Sequence, residues 1–135
     1  MTYFISGHRD ITEQEFKEHY IPQINRVLEL DKYAHFRIGD WKGCDDLAFN
    51  YLLDRIKDFQ IITIHCVDCV RLPKYSEKQY PYIMPYKCET YDECDRTMTE
   101  YSDFDIAWIR PGREDSHTAK NIKRRYGFYK YSSIA

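Results

Sequence analysis

The sequence predicts an α/β fold in which helices cover both faces of a mostly parallel sheet. Short apolar runs rich in β-branched and aromatic residues alternate with segments whose apolar residues recur every three or four positions. The chain has 135 residues, of which 43% are hydrophobic, which is enough for one domain with a single core. Strands and helices that alternate at this spacing form parallel sheets with right-handed crossovers.

The first strand is predicted at 3–6, an apolar run that ends at Gly7. A helix follows, because Thr12 and Glu15 form the capping-box pattern that opens helices. Pro22 lies inside the apolar pattern of this helix and predicts a kink or two consecutive helices.

Two further strands flank a second helix. The second strand is predicted at 35–38, before Gly39, and the helix has its apolar face between Cys44 and Ile56. The run IITIHCV at 61–67 is typical of a strand that is covered on both faces.

The segment at about 70–91 has three prolines and scattered tyrosines without clean periodicity, so we predict a long irregular loop. A third helix is expected at about 92–101, a fourth strand at 104–109, and a fourth helix from about residue 116. The resulting order, β-α-β-α-β-loop-α-β-α, predicts a three-layer Rossmann-like domain spanning residues 1–135, with an undetermined strand order.

Charge and composition limit the partners. The chain has 20 Lys and Arg against 22 Asp and Glu, a net charge of −2, so we expect no nucleic-acid partner. No run approaches the ~20 apolar residues of a membrane helix, so we expect no membrane partner. Five cysteines, an odd number, suit a reduced, cytoplasmic protein. The 13 tyrosines suit interfaces and favour a homo-oligomer, a dimer or a tetramer.

Four of the cysteines could suggest a zinc site. Cys66 and Cys69 have metal-ligand spacing, but five residues rather than two separate Cys88 from Cys94, and Cys66 belongs to a predicted strand. We therefore expect no metal and no cofactor.

Three loops that follow predicted strands carry glycine beside ionisable residues. In a parallel sheet these loops share one edge, where ligands bind. Glycines let a ligand approach the backbone, and the N–H groups of a following helix favour an anion such as phosphate. The alternative is that they are ordinary turn residues. The candidate ligand-binding residues in these loops are Ser6, Gly7, His8, Arg9, Gly39, Asp40, Gly43, Asp45, Pro111, Gly112, Arg113, Ser116, His117 and Thr118.

Charge suggests roles for several of these residues. Arg9 and Arg113 could bind a phosphate. Asp40 and Asp45 could accept hydrogen bonds from ribose hydroxyls, unless Asp45 only caps the second helix. His8 is the titratable group best placed for catalysis, and its alternative role is a hydrogen-bonded turn histidine.

The segments FISGHRD, RIGDWKGCDDLAFNYL and SDFDIAWIRPGREDSHTAKNI resemble the SMF/DprA–LOG (SLOG) superfamily of Rossmann-like nucleotide-binding domains. This superfamily is related to the "lonely guy" phosphoribohydrolases and to nucleoside 2-deoxyribosyltransferase-like proteins. The resemblance implies that the loop at 111–118 holds a phosphate. It places Asn121 where the family has its catalytic glutamate, and His117 where it has a glycine. Arg96 matches an arginine that reaches the family's pocket; otherwise it is a surface residue paired with Asp92 or Glu100.

An asparagine cannot act as a general base or a carboxylate nucleophile. We therefore expect a protein that binds a nucleotide or a nucleotide-derived metabolite as a sensor or carrier. The alternative is a nucleotide N-glycosidase or deoxyribosyltransferase-like enzyme in which Asp40 or Asp45 supplies the missing carboxylate.

Overall fold

The computed structural model describes residues 1–57, 59–76 and 82–132. Five parallel strands form one sheet in the order β4-β3-β2-β1-β5. The elements are β1 (Thr2–Ile5), α1 (Glu13–His19), α2 (Ile21–Leu30), β2 (His35–Ile38), α3 (Cys44–Leu53), β3 (Ile62–Cys66), β4 (Ile83–Lys87), α4 (Tyr91–Glu100), β5 (Phe104–Ile106) and α5 (His117–Ser132). The predicted three-layer α/β Rossmann-like fold is confirmed.

Alternation along the strands divides the interior into two layers. Ile5 of β1 and Phe36 of β2 pack in a large core with residues of α1, α2 and α3. Phe4 faces the opposite side of the sheet and packs with Cys94 and Met98 of α4 in a smaller cluster. Successive strand residues point to opposite faces, so one short apolar run contributes to both layers.

The first helical region consists of two helices, which confirms one of the two forms predicted from Pro22. Thr12 caps α1 through its side chain, and Glu15 completes the capping box. The chain then turns at Tyr20, and Pro22 lies at the start of α2, where its missing N–H has no helical partner to lose. The capping box predicted from Thr12 and Glu15 is thus confirmed.

The irregular loop predicted at about 70–91 is incorrect in part, because it contains β4 at 83–87. Pro85 obscured this strand in the sequence. Among the described strands, β4 lies at the edge of the sheet and pairs with β3 alone, and an edge position tolerates proline because its outer side needs no N–H donor. Residues 77–81 of the predicted loop lie outside the described residues.

The fourth predicted strand, at 104–109, is shorter than expected. β5 ends at Ile106, and residues 107–110 leave the sheet. The side chain of Tyr20 meets the chain at this point. Its buried hydroxyl donates a hydrogen bond to the Ser6 carbonyl at 2.7 Å and accepts one from the Trp108 N–H at 3.0 Å. One side chain of the α1–α2 turn thus connects the loops that follow β1 and β5.

The strand order creates a crevice. The chain passes from β1 to β2 on one side, whereas β5 pairs with β1 on the other. The loops after β1 and β5 therefore lead to helices on opposite faces at the C-terminal edge of the sheet, which is where open α/β sheets bind ligands. Within the described residues, no helix is long and apolar enough to cross a membrane.

We expect Tyr20→Phe to lower the free energy of unfolding by about 1–3 kcal/mol, because the Ser6 carbonyl and the Trp108 N–H both lose a buried partner. Urea denaturation measures this change. Tyr33→Phe is the control, since the Tyr33 ring is exposed. Equal losses in the two variants would contradict the bridging role of Tyr20.

Candidate functional site

A cavity of about 360 Å³ opens at the C-terminal edge of the sheet, a volume within the usual range of small-molecule sites. All three predicted loops contribute to it, and Gly39 and Thr118 line the same space. The predicted residues that line it are Ser6, Gly7, His8, Arg9, Gly39, Asp40, Asp45, Arg113, Ser116, His117, Thr118 and Asn121.

Four predicted residues are not among the lining: Gly43, Arg96, Pro111 and Gly112. Arg96 is exposed on α4, and its neighbour Asp95 lines the cavity instead. One step along a helix rotates the side chain by about 100°. This corrects the expectation, taken from the resemblance, that Arg96 reaches the pocket, and it adds a carboxylate that sequence reasoning missed.

Gly39 and Gly43 bring backbone segments together. A β-carbon on Gly39 would lie 2.7 Å from Asp45 Oδ2. Gly43 has a φ of 89°, and a β-carbon there would overlap the backbone of Arg9. The two glycines therefore allow the loop after β2 to pack against Asp45 and against the loop after β1.

Asp40 is committed to an ion pair. Its carboxylate is buried and accepts hydrogen bonds from Nε of Arg71 at 3.1 Å, from Nη2 at 2.9 Å and from the Arg71 backbone N–H at 3.3 Å. Both carboxylate oxygens are thus engaged, which argues against the predicted catalytic or ribose-binding role of Asp40. Arg71 was missed because it lies in the predicted irregular loop.

Asp45 is the second acidic group. The N-cap of α3 is Gly43, without a side-chain hydrogen bond, so the alternative that Asp45 caps the helix is wrong. Asp45 Oδ2 accepts instead from the backbone N–H of Trp41 at 3.1 Å. Burial raises the pKa of Asp45 to about 7, and the nearby charges of Asp40 and Asp95 add to this, whereas the Trp41 N–H and Arg9 oppose it.

Asp95 is the third. It lies on α4, with its Oδ2 3.7 Å from Nδ1 of the exposed His117. Burial raises the pKa of Asp95, and the charges of His117, Arg124 and Arg9 lower it. Arg9 thus acts on both Asp45 and Asp95.

His8 matches its alternative role as a hydrogen-bonded turn residue. Its buried Nε2 accepts from the backbone N–H of Arg110 at 2.9 Å, so the neutral ring carries its proton on Nδ1. Burial lowers the pKa of His8, as do the charges of Arg110 and Arg113. At neutral pH the ring is neutral, and its Nε2 is not available as a general base.

Three polar side chains of the lining are almost fully buried and incompletely satisfied. Ser6, Thr118 and Asn121 are 5%, 2% and 3% exposed. Within the described residues, the buried Oγ of Ser6 has no hydrogen-bond partner, and the Thr118 hydroxyl makes no hydrogen bond. Asn121 Oδ1 accepts from Arg124 at 2.6 Å, which leaves its amide N–H groups for another acceptor. Buried polar groups are normally paired, so the Ser6 hydroxyl requires an explanation.

The start of α5 adds backbone donors. Ser116 Oγ accepts from the Ala119 N–H at 3.2 Å. The N–H groups of His117 and Thr118 precede the first intrahelical hydrogen bonds and so have no helical partner. Arg113 stands nearby, with its guanidinium 2.6 Å from Asp10 Oδ2.

Aromatic rings form the rim. Trp41 lies 5.2 Å from Tyr91, and the guanidinium of Arg9 lies 3.6 Å from the centre of the Trp41 ring. Arg71 stacks near the same ring, at 4.2 Å. Trp41 and Tyr91 are lining residues that sequence reasoning missed.

His65 lies on β3, where it is buried and lines the cavity. Its Nε2 is 2.9 Å from Arg37, and its Nδ1 is 3.2 Å from the Thr97 hydroxyl. Burial and the charge of Arg37 lower the pKa of His65 to about 3, so the ring is a neutral core residue.

The cysteines are free thiols, and Cys69 is the exposed one. Within 1–57, 59–76 and 82–132, no group of three or more His, Cys, Asp or Glu residues is placed to hold a metal ion.

Comparison with protein-family models, curated proteins and solved structures gave no match to this chain. The resemblance to the SLOG superfamily therefore remains a prediction from the three quoted segments.

The stability of the protein should depend on the ionisation of Asp45. The folded chain holds this proton up to about pH 7, whereas an unperturbed carboxyl releases it near 3.8. The folded state binds more protons between these values, so the free energy of unfolding falls as the pH rises through this window. Asp45→Asn should remove this fall, with a stability gain over the natural chain that grows from pH 4 to pH 8.

Urea denaturation across this pH range provides the measurement. Asp54→Asn, an exposed position just after α3, is the matched control and should follow the natural profile. Parallel profiles for Asp45→Asn and the natural chain would show that Asp45 titrates normally.

Proposed function

We propose that the cavity binds a nucleotide or a nucleotide-derived metabolite that carries a phosphate group, and that the protein acts as a sensor or carrier of this compound. The observation that carries the proposal is the cluster of buried, incompletely satisfied groups of Ser6, Thr118 and Asn121 beside the start of α5. A bound oxyanion would accept from these groups and from the helix N–H groups together.

The phosphate end has donors and balanced charge. The hydroxyls of Ser6 and Thr118 and the backbone N–H groups at the start of α5 are neutral donors. His8 adds an Nδ1–H in its neutral form. Arg113 is half-exposed and paired with Asp10 at the surface, so it can turn toward a phosphate at small cost.

The rim suits the planar part of such a ligand. The Trp41 and Tyr91 rings line the cavity, and a base that displaces Arg9 from the Trp41 ring would stack there, since aromatic rings stack on any base without sequence preference. Their position favours a compound that has both a phosphate and a ring system.

Three positions that could have carried catalysis offer no free catalytic group, which supports binding without turnover. Asn121 occupies the position that the resemblance gives to the catalytic glutamate, and Asp40 is locked by Arg71. His8 has its Nε2 engaged.

One observation favours a second candidate, a nucleotide N-glycosidase or transferase. Asp45 and Asp95 line the cavity, and burial raises the pKa of both, as general acids require. Incubation with nucleoside 5′-monophosphates and chromatography for free base decides between the candidates. Release of base that Asp95→Asn abolishes would establish the enzyme; we expect none.

The proposed function is tested by calorimetric titration with nucleoside mono-, di- and cyclic phosphates. At least one should bind, and Thr118→Val should weaken it by about tenfold, the value of one hydrogen bond to a charged acceptor. The stability of the unliganded protein should not fall, because the lost hydroxyl has no partner there within the described residues.

Thr99→Val is the matched control. Thr99 is equally buried, but its hydroxyl donates to the Asp95 carbonyl within α4 and it does not line the cavity. Absence of binding across the whole panel, or equal affinities for Thr118→Val and the natural chain, would overturn the proposal.

A further inference from the structure

We infer that Asp45 and Asp95 bind the vicinal hydroxyls of a ribose, so that the cavity selects ribonucleotides or ribose phosphates over their deoxy counterparts. The inference rests on the proposed function and names the sugar that the same cavity would take.

The two carboxylates reach the cavity from different elements. Asp45 lies in the first turn of α3, after β2, and Asp95 lies on α4, which covers the opposite face of the sheet. Each has acceptor capacity to spare. The hydrogen bond that the protein gives Asp45 comes from the Trp41 N–H to Oδ2, and the polar contact of the Asp95 side chain is His117, at 3.7 Å, within the described residues.

The charges around this pair favour a neutral donor. Arg9 lies near enough to both carboxylates to lower the pKa of each, and His117 contacts Asp95. Because positive charge is already supplied by the protein, a cationic ligand group would compete with Arg9. Additional phosphate would be repelled by the carboxylates. Hydroxyl groups donate to carboxylates without adding charge, so they neither compete with Arg9 nor are repelled by the carboxylates.

The phosphate end fixes the orientation of the sugar. Within the described residues, the buried Ser6 hydroxyl has no partner and the Thr118 hydroxyl makes no hydrogen bond, so both are free to donate to an acceptor, whereas the Asp45 and Asp95 side chains accept from donors. A sugar phosphate presents an oxyanion at one end and hydroxyls at the other. Two carboxylates can accept from two hydroxyls, and a ribose presents an adjacent pair that a 2-deoxyribose lacks.

Gly39 makes this arrangement possible. Asp45 Oδ2 would lie 2.7 Å from a β-carbon at position 39, so only glycine leaves the carboxylate where it stands. The same oxygen is fixed by the Trp41 N–H. The Asp45 carboxylate is thus oriented before a ligand arrives, a condition for discrimination between similar sugars.

The experiment compares paired probes by calorimetry at pH 8, above the pKa of about 7 for Asp45. The probes are ribose 5-phosphate with 2-deoxyribose 5-phosphate, and adenosine 5′-monophosphate with its 2′-deoxy and 3′-deoxy forms. We expect each ribose compound to bind at least about tenfold more tightly than its deoxy counterpart, because in the deoxy compound one carboxylate lacks a hydroxyl donor.

The variants Asp45→Asn and Asp95→Asn should reduce this ratio to about threefold or less, with a smaller change in the affinity for the deoxy compounds. Asp54→Asn is the matched control, since the same chemical change at that exposed site should leave the ratio intact. Circular dichroism and thermal unfolding confirm that each variant is folded.

The outcomes separate the two proposals. Equal binding of ribose and deoxyribose compounds would overturn the inference and leave the proposed function standing. A ratio that persists in both Asp variants would also overturn it, because another group would then read the hydroxyls. Failure of these probes and of the wider nucleotide panel to bind would overturn both.

Discussion

The site depends on one constraint, that β1 and β5 pair as neighbours while the chain leaves them for helices on opposite faces of the sheet. The Ser6 N–H donates to the Ile106 carbonyl at 3.1 Å, just beyond Ile5 and Ile106, the last paired residues of the two strands. The Tyr20 hydroxyl then bridges the Ser6 carbonyl and the Trp108 N–H, and His8 accepts from the Arg110 N–H. These neutral, buried hydrogen bonds fix both walls of the crevice, so the Ser6 hydroxyl faces it from a rigid backbone.

The cavity has one buried carboxylate, Asp40, and two half-buried ones, Asp45 and Asp95, and each is stabilised in a different way. The negative charge of Asp40 is balanced by the guanidinium of Arg71, which donates two hydrogen bonds to it, whereas Asp45 keeps a proton up to about pH 7. Asp95 relies on His117 and the field of Arg9. Only the first arrangement is a complete ion pair. The other two leave acceptors that are poorly compensated by the protein alone, and such strain concentrates at binding sites, where a ligand relieves it.

The sequence pattern alone predicted those features whose signal lies in neighbouring residues, such as the Thr12–Glu15 capping box and the break between helices at Pro22. It also placed three loops at one edge, because parallel strands impose this. β4 was hidden because Pro85 opposes a strand locally, and only the edge position permits it. Arg71 and Asp95 enter the site through tertiary packing, which periodicity does not report, and Asp95 differs from Arg96 by one rotation of the helix.

The glycines show how a motif can predict a site for an incomplete reason. We expected Gly39 and Gly43 to let a ligand approach the backbone. In the structure the space beside Gly39 is taken by Asp45, and the space beside Gly43 by the backbone of Arg9. These residues shape the cavity by allowing its own walls to meet, whereas the free donors come from Ser6, Thr118 and the start of α5. A glycine-bearing loop therefore locates such a site, but the proposal for its ligand rests on the unpaired donors that line it.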